Sequence, residues 1–495
     1  IVVRLVGSEM CIRDRLPLAA LSEPTELDSI RVEGTRMERS LLDTPAAVSV
    51  VDTRKAQQGQ QHLQLDESLA RVPGLYLQNR YNFAQNQRLS IRGFGARAPF
   101  GVRGLRIRVD GFPETLPDGQ SQVDSIDLDS LYRATVLRGP SSVLYGNATG
   151  GVIDLESFSG KTITGNGELK LSGGEDGYRK AHLKSGGRKD NAHYYLGVTG
   201  LNYEGYREQS AVEKYLVNSR IGWDLDNQQD IELFLTALDT TYAQDPSGLT
   251  RRQAHTDRTQ ATTLAEQLDA GQKVDQQRLG IRYRHAALGG GLLQTQAFIS
   301  QRDFNQQLPF PGSSLIDYQR LFYGIGVEYS HDLDLFGLRH RYLIGVDMDR
   351  QHDDRGRRSV SANGAVTGIT ANENQIATSN GLFLQTDSFI TDSLTLSLGA
   401  RADRIEFRID DDLLSDGDNS GDQQFNEGSF SAGIAWHAHP AHTLYASVSS
   451  AFETPTFTEL ANPAGVGGFN PDLKPQEALN KDCLLYTSPS PRDGL

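Results

Sequence analysis

From about residue 165 onward, apolar and polar positions alternate with a period of two in segment after segment. Tyr194, Leu196 and Val198 interleave with Tyr195, Gly197 and Thr199, and Ile231, Leu233 and Leu235 with Glu232, Phe234 and Thr236. The same holds for Tyr323, Ile325, Val327 and Tyr329, for Tyr342, Ile344, Val346 and Met348, and for Leu394, Leu396, Leu398 and Ala400 against Ser393, Thr395, Ser397 and Arg401. Successive side chains of a strand point to opposite faces, so each segment predicts a strand with one apolar and one polar face. Half-buried strands of a soluble sandwich share this alternation, and the period alone does not separate them from the wall of a membrane barrel.

Connection lengths separate the two. Short turns fall near Arg188–Asn191, Asp226–Gln229, Gly289–Gly291, Thr391–Ser393 and Pro440–Ala441, with a slightly longer one at Asp332–Leu338. Between them lie longer polar stretches at 203–212, 239–272, 304–316, 350–374, 409–427 and 452–476. Strict alternation of short and long connections is what an outer-membrane barrel requires, with short turns inside and long loops outside, whereas a sandwich has no reason to sort its loops. The pattern predicts about thirteen strands.

Ahead of this region, residues 87–155 differ in character. Runs such as Leu105-Arg106-Ile107-Arg108-Val109 and Thr135-Val136-Leu137 are strand-like and are separated by Gly, Pro and Asp turn signals, which predicts a small mixed domain with many tight turns. A phosphate-binding loop around Gly93, Gly95 and Gly104 lacks both the glycine spacing and the following Lys-Ser/Thr.

Composition agrees with a barrel. The 495 residues include 50 glycines and 37% hydrophobic residues, with a mean hydropathy of −0.46. No apolar run approaches the ~20 residues of a membrane helix, and in a barrel the two alternating faces cancel in any hydropathy average. A net charge of −14 speaks against nucleic-acid binding.

The two ends read as foreign. Leu5–Asp14 (LVGSEMCIRD) and Cys483–Arg492 (CLLYTSPSPR) are what one DNA sequence and its reverse complement encode, as a sequencing adapter translated on opposite strands would be. Residues 1–15 and 483–495 are therefore set aside. Both cysteines, Cys11 and Cys483, lie there, so a disulfide framework, a cysteine-ligated zinc and a cysteine nucleophile lose support. Residues 16–22 read as the tail of a secretory signal peptide.

The segment from Gln87 to Leu155 resembles the plug domain of TonB-dependent outer-membrane receptors. The matching pieces are Ile91-Arg92-Gly93, Ile107-Arg108-Val109-Asp110-Gly111, Val136-Leu137-Arg138-Gly139-Pro140, Leu144-Tyr145-Gly146 and Gly150-Gly151-Val152-Ile153-Asp154. The resemblance implies an all-β transmembrane barrel of about twenty-two strands with an N-terminal mixed α/β plug, in the bacterial outer membrane and monomeric. On this reading residues 23–38 are a periplasmic segment, 39–160 the plug and 161–482 a barrel that stops short. Residues 451–475 resemble the family's mid-barrel signature, which implies a truncated protein that would not form a stable pore by itself.

The resemblance also implies roles. Leu27, Asp28, Ser29, Ile30, Arg31 and Val32 occupy the place of the TonB box, which pairs as an added strand with the TonB-ExbB-ExbD energy-coupling complex. Arg92 and Arg138 match plug arginines that pair with barrel glutamates to hold the plug, and one such glutamate is expected just beyond Asp482. Outward plug loops supply ligand contacts: Arg80, Tyr81, Arg97, Arg103, Gln120 and Gln122, where Gly119-Gln120-Ser121-Gln122 resembles the Gly-Gln-x-Gln of ferric-citrate-type receptors. Packing and turn structure would explain the same loop residues without a ligand.

Two other clusters stand apart from the resemblance. Asp416, Asp418 and Ser420, with Gly421 and Glu427, have the oxygen spacing of a calcium loop but no flanking helices, and a solvated acidic loop is the alternative. His437, His439 and His442 surround a turn on the periplasmic side, the wrong face for capturing a metal. No catalytic constellation has motif-level spacing, and no cofactor is required. The expectation is an energised importer, not an enzyme, for a scarce anionic metal chelate such as a ferric siderophore. FGARAPFGVRG followed by DGFPETLPDGQ also resembles receptors for a quinone cofactor such as pyrroloquinoline quinone. A passive porin would need no plug, and a barrel enzyme would need an outer-rim catalytic cluster.

Overall fold

The strands up to residue 157 close on themselves, and those from residue 167 onward form a wall around them. The structure, a computed structural model, describes residues 31–32, 36–37, 39–40, 44–78, 81–98, 101–139, 141–163, 167–439, 442–461 and 468–487. A short antiparallel pair comes first, β1 (Arg31–Val32) and β2 (Arg39–Ser40). Then follow β3 (Ala47–Asp52), helix α1 (Thr53–Ala56), α2 (Asp66–Leu69), β4 (Leu75–Gln78), β5 (Arg88–Ile91), β6 (Leu105–Val109), β7 (Phe112–Pro113), β8 (Leu131–Arg138), α3 (Ser142–Tyr145) and β9 (Gly151–Ser157).

Five of these strands form a sheet in the order β3-β8-β9-β6-β7, in which β6 and β9 run parallel and the other neighbours antiparallel. Its core holds Leu89, Ile91, Leu105, Ile107, Val136, Ile153 and Leu155 out of solvent altogether. The β6–β7 turn is Asp110-Gly111, both with positive φ (+54° and +88°), the geometry that a two-residue hairpin loop demands and that this residue pair favours. The Asp110 carboxylate also accepts from Ser157 N and Oγ at 2.8 and 2.7 Å, tying that turn to β9. This is the small mixed domain with tight turns that the turn signals predict, and the mixed α/β plug that the resemblance implies.

Fourteen strands make the wall, each antiparallel to the next in chain order. They are β10 (Gly167–Gly173), β11 (Arg179–Lys189), β12 (Ala192–Tyr203), β13 (Val212–Asp224), β14 (Gln229–Gln244), β15 (Gly271–Leu288), β16 (Gly291–Gln307), β17 (Gly312–Leu335), β18 (Leu338–Val360), β19 (Val366–Thr391), β20 (Leu394–Asp411), β21 (Gly421–His439), β22 (His442–Glu453) and β23 (Gln476–Thr487). Helices α4 (Arg251–Thr256) and α5 (Thr263–Gln267) sit in the β14–β15 connection, and α6 (Phe457–Leu460) in the β22–β23 connection. Among the described residues no helix is long and apolar enough to cross a membrane.

One expectation needs correcting. The stretches 304–316, 350–374 and 409–427 are mostly strand, and the connections shrink to 308–311, 361–365 and 412–420. Beyond the bilayer both faces of a strand can be polar, so the alternation that marks a strand fades while the backbone ladder continues. β19 has 26 residues, well over the ~9–11 needed to cross a membrane. β23 also runs on through Cys483–Thr487, residues set aside above as foreign, where it pairs with His442–Ala446.

The side-chain register of β20 shows where lipid ends. Leu394, Leu396, Leu398, Ala400 and Ala402 face outward, followed on the same face by Arg404, Glu406 and Arg408. The inner face changes in the opposite sense, from Thr395, Ser397, Arg401 and Asp403 to Ile405, Phe407 and Ile409. Above this boundary the inward residues join Phe425, Phe452, Phe457, Leu460 and Phe469 in an apolar cluster that packs the β22–β23 connection against the wall.

Candidate functional site

Lumen-facing positions of the wall carry charges, and the plug carries their opposites. Glu114 meets Arg278 at 2.5 Å, Asp124 meets Arg302 at 2.6 Å and Arg106 meets Asp349 at 3.2 Å. Asp129 accepts from Lys180 of the wall and, at 2.7 Å, from His62 of the plug. A smaller apolar contact sets Phe112 of the plug among Phe234, Phe298 and Phe322, where Gly280 leaves room: a Cβ there would stand 2.7 Å from the Phe112 ring.

The balance of these forces fixes where the plug sits more than how tightly it is held. A buried ion pair contributes little net stability, because desolvation offsets the attraction, yet removing one partner costs about 3–5 kcal/mol. Charged pairs thus fix the plug's orientation strongly, and each of their groups regains hydration if the plug shifts into a wet lumen.

Burial acts against ionisation of Asp124, but the Arg302 guanidinium outweighs it and holds the carboxyl below its ordinary range. Asp118 lies on the other side of that balance: burial pushes its carboxyl up, and the nearby Arg320 only partly compensates.

The expected lock residues are placed as follows. Arg92, with φ +51°, directs Nη1 to Asp482 Oδ1 of β23 at 2.9 Å. Arg138 donates to the Pro73 carbonyl at 3.0 Å, a bond within the plug. Arg97 and Arg103 do what was expected of the lock: Arg97 reaches Glu453 at 2.9 Å and Glu459 at 3.3 Å, and Arg103 reaches Glu459 at 2.5 Å, Glu453 at 3.2 Å and the Thr454 carbonyl at 3.0 Å. The Arg103 side chain is only 9% exposed. Its charge is therefore turned to these two carboxylates and not to solvent.

Of the other ligand candidates, Arg80 lies outside the described residues. Tyr81 is 45% exposed with φ +49°. Gln120 folds back on Asp118, with Nε2 donating at 2.9 Å, while Gln122 donates to the Tyr318 hydroxyl of β17 at 2.9 Å. The calcium constellation is not assembled. Asp416, Asp418 and Ser420 stay in the β20–β21 connection, organised by Asp411, which accepts from the amides of Leu413 and Asn419. Glu427 is instead well inside β21, opposite Asp403. Spacing alone takes the chain to be a compact loop, whereas pairing with β20 stretches it. The one group among the described residues with metal-ligand spacing is Asp127, Asp129 and His182, and the lysine on Asp129 already neutralises part of its charge.

Leu27–Ile30 also lie outside the described residues, while Arg31 and Val32 form β1, pairing with Ser40 and Arg39. The residue that sequence reading misses is Arg36. Its Nη atoms reach the two Asp347 carboxylate oxygens at 3.1 and 2.7 Å, and Nη1 is 3.4 Å from Glu328. The guanidinium lies between the Tyr145 ring of the plug (4.6 Å) and the Phe383 ring of the wall (4.4 Å). Asp347 also accepts from Arg401 at 3.0 Å, and Arg401 donates to the Leu144 carbonyl at 3.2 Å. One signal was available. Glu328 stands between Val327 and Tyr329, and Asp347 between Val346 and Met348, so both are inward charges at membrane depth and require partners.

A strand wall with an apolar outer belt, filled by an ion-paired plug whose N-terminal segment is anchored beneath it, defines a plugged outer-membrane β-barrel. Residues 40–152 match the TonB-dependent receptor plug domain, and residues 205–482 the TonB-dependent receptor-like β-barrel. The chain belongs to the TonB-dependent receptors, a family of outer-membrane transporters and receptors.

Relatives align across both domains. The vitamin B12 transporter BtuB of Vibrio vulnificus is 21% identical over 476 residues, covering 93% of this chain and 67% of the relative. The rhizobactin receptor of Rhizobium meliloti is 24% identical, covering 90% and 66%. The ferrioxamine B receptor of Salmonella typhimurium is 22% identical, covering 90% and 67%. The chain thus spans about two thirds of the length of these relatives. In fold it is similar to the ferric citrate transporter FecA in the unliganded form, with a TM-score of 0.78, 18% identity and coverage of 93% of this chain and 70% of the other. It is also similar to the siderophore receptor PiuA of Acinetobacter baumannii, with a TM-score of 0.72, 16% identity and coverage of 90% and 70%.

Proposed function

We propose that this chain is the plug and the larger part of the barrel of a receptor that imports a ferric chelate, foremost a siderophore, in an energy-dependent manner. The observation that carries the reading is the alignment of plug and wall together with receptors named for ferrioxamine B and rhizobactin. The anchored Arg36 supports the energised part. It lies just after the segment in the place of the TonB box, so a pull from the periplasm reaches the Asp347 cluster first and, through Arg401 and Tyr145, the plug. The quinone cargo has no counterpart among the relatives named above.

Uptake of radiolabelled ferric ferrioxamine B and ferric citrate tests this in bacteria lacking other ferric receptors and expressing the receptor that contains this chain. Accumulation that a protonophore abolishes is the expected result. Uptake insensitive to the protonophore would favour a passive pore, and uptake of cobalamin without any ferric chelate would move the cargo to that of the vitamin B12 transporter.

A further inference from the structure

The β17–β18 hairpin ends in a turn that is costly in two ways. Phe336 and Gly337 both have positive φ, +55° and +77°. This is the turn geometry that Asp110-Gly111 satisfies in the plug, but a bulky residue in the left-handed region is strained where Asn, Asp or Gly is not. The Phe336 side chain is also 99% exposed, and Leu333 and Leu335 beside it are each 41% exposed. Neither the strain nor the exposure is repaid by a contact within the described residues.

The hairpin also stands clear of its neighbour. β16 pairs with β17 only as far as Leu292 opposite Ser330, so His331–Leu335 presents an open strand edge on that side, next to the apolar tip. Lipid is a poor occupant. The outward Tyr329 and Tyr342 mark the aromatic boundary of the apolar belt. From Tyr329 to Phe336 the strand advances roughly 23 Å at ~3.3 Å per residue. At a tilt of about 40° that is some 18 Å along the membrane normal, against about 6 Å of headgroup zone. The tip therefore projects into the periplasm.

The same two strands hold the N-terminal segment. Glu328 of β17 and Asp347 of β18 bind Arg36 at the foot of the hairpin, and β1 ends four residues before Arg36, at most about 14 Å away along an extended chain. We propose that the tip and open edge at His331–Phe336 are a docking surface for the periplasmic domain of the energy-coupling protein. The inference rests on the receptor reading above. An apolar anchor beside an unpaired edge is the combination that strand addition uses, with backbone bonds for affinity and a side chain for position.

Calorimetric titration of the detergent-solubilised receptor with the purified periplasmic domain of TonB from the same bacterium tests the surface. Phe336→Asn and Phe336→Gly both suit the turn, so each should fold and raise the Tm slightly while weakening the domain at least about fivefold, as loss of a central apolar anchor does. Unchanged affinity in both variants, with wild type binding normally, overturns the docking surface and leaves the receptor reading intact. No binding to the wild type overturns both. Strong quenching of a Phe336→Trp variant by brominated lipid in nanodiscs also overturns the proposal, since it would place the tip in the membrane.

Discussion

Asp347 sits between two lipid-facing residues and accepts from two guanidinia, Arg36 from the N-terminal segment and Arg401 from the neighbouring wall. Asp347→Asn removes the charge but keeps the volume, leaving Arg36 with Glu328 alone. Breaking a buried pair from one side costs about 3–5 kcal/mol, and here that loss should appear as release of the segment, not as unfolding of the wall. Hydrogen exchange should speed up at residues 36–40 by about two orders of magnitude or more, with protection of β17–β19 unchanged. A second residue-scale prediction concerns acid. A carboxyl held below its ordinary range contributes stability that is complete above that range and is lost as pH falls through the depressed value. Asp124 is such a group, whereas Asp118, pushed up by burial, is relieved as pH falls. Asp124→Asn should lower the Tm at pH 7 and flatten the acid limb of a Tm-against-pH profile between pH 2 and 5. An unchanged acid limb would show that the Asp124–Arg302 pair does not hold the plug.

At the scale of elements, the β22–β23 connection shows why a loop predicted from polarity can be a packed unit. Phe457 of α6 meets Phe407 and Phe469 with ring centroids 5.2 and 6.5 Å apart, and Glu459 of the same helix holds Arg97 and Arg103. Burial opposes ionisation of Glu459, but the Thr456 amide and the two arginines keep it below its usual range. Phe457→Ala should therefore disturb more than one contact, at about 3–5 kcal/mol for a buried aromatic. Limited proteolysis should cut within 454–475 faster than in wild type while the barrel resists. The β20–β21 connection makes the contrary case. Its acidic spacing suggests calcium, but Glu427 is carried off by strand pairing, so added calcium should leave its protease sensitivity unchanged.

For the whole molecule, orientation in the membrane follows from the reversal of polarity along β20. An arginine facing lipid at the midplane costs about 2–4 kcal/mol and close to none at the interface. Leu398→Arg should then destabilise folding into lipid vesicles by that larger amount. Glu406→Arg, on the same face beyond the boundary, should change it by at most about 1 kcal/mol. Equal costs at the two positions would mean that the belt is misplaced. Within the wall, the plug's location depends on many charge pairs on different strands, so single losses should loosen it locally and leave its overall seat in place.

Much of this protein was determined along the chain itself. Period-two alternation specifies strands wherever one face meets lipid, and Asp110-Gly111 specifies a tight turn, because these signals depend only on neighbours in sequence. The facing of Arg92 to the wall, by contrast, was implied by the family resemblance and not by its neighbours. What only the tertiary structure decided is partnership. Arg97 and Arg103 are arginines in a glycine-rich loop until Glu453 and Glu459 come to meet them from more than 350 residues away. Arg36 has no sequence neighbour that marks it, and the strands that bind it are readable only as alternating segments that carry inward acids. Strand length beyond the bilayer was hidden too, since in water a ladder needs no apolar face. A charge or a backbone group can be satisfied by any partner the fold brings near, and that choice is made in space, not along the chain.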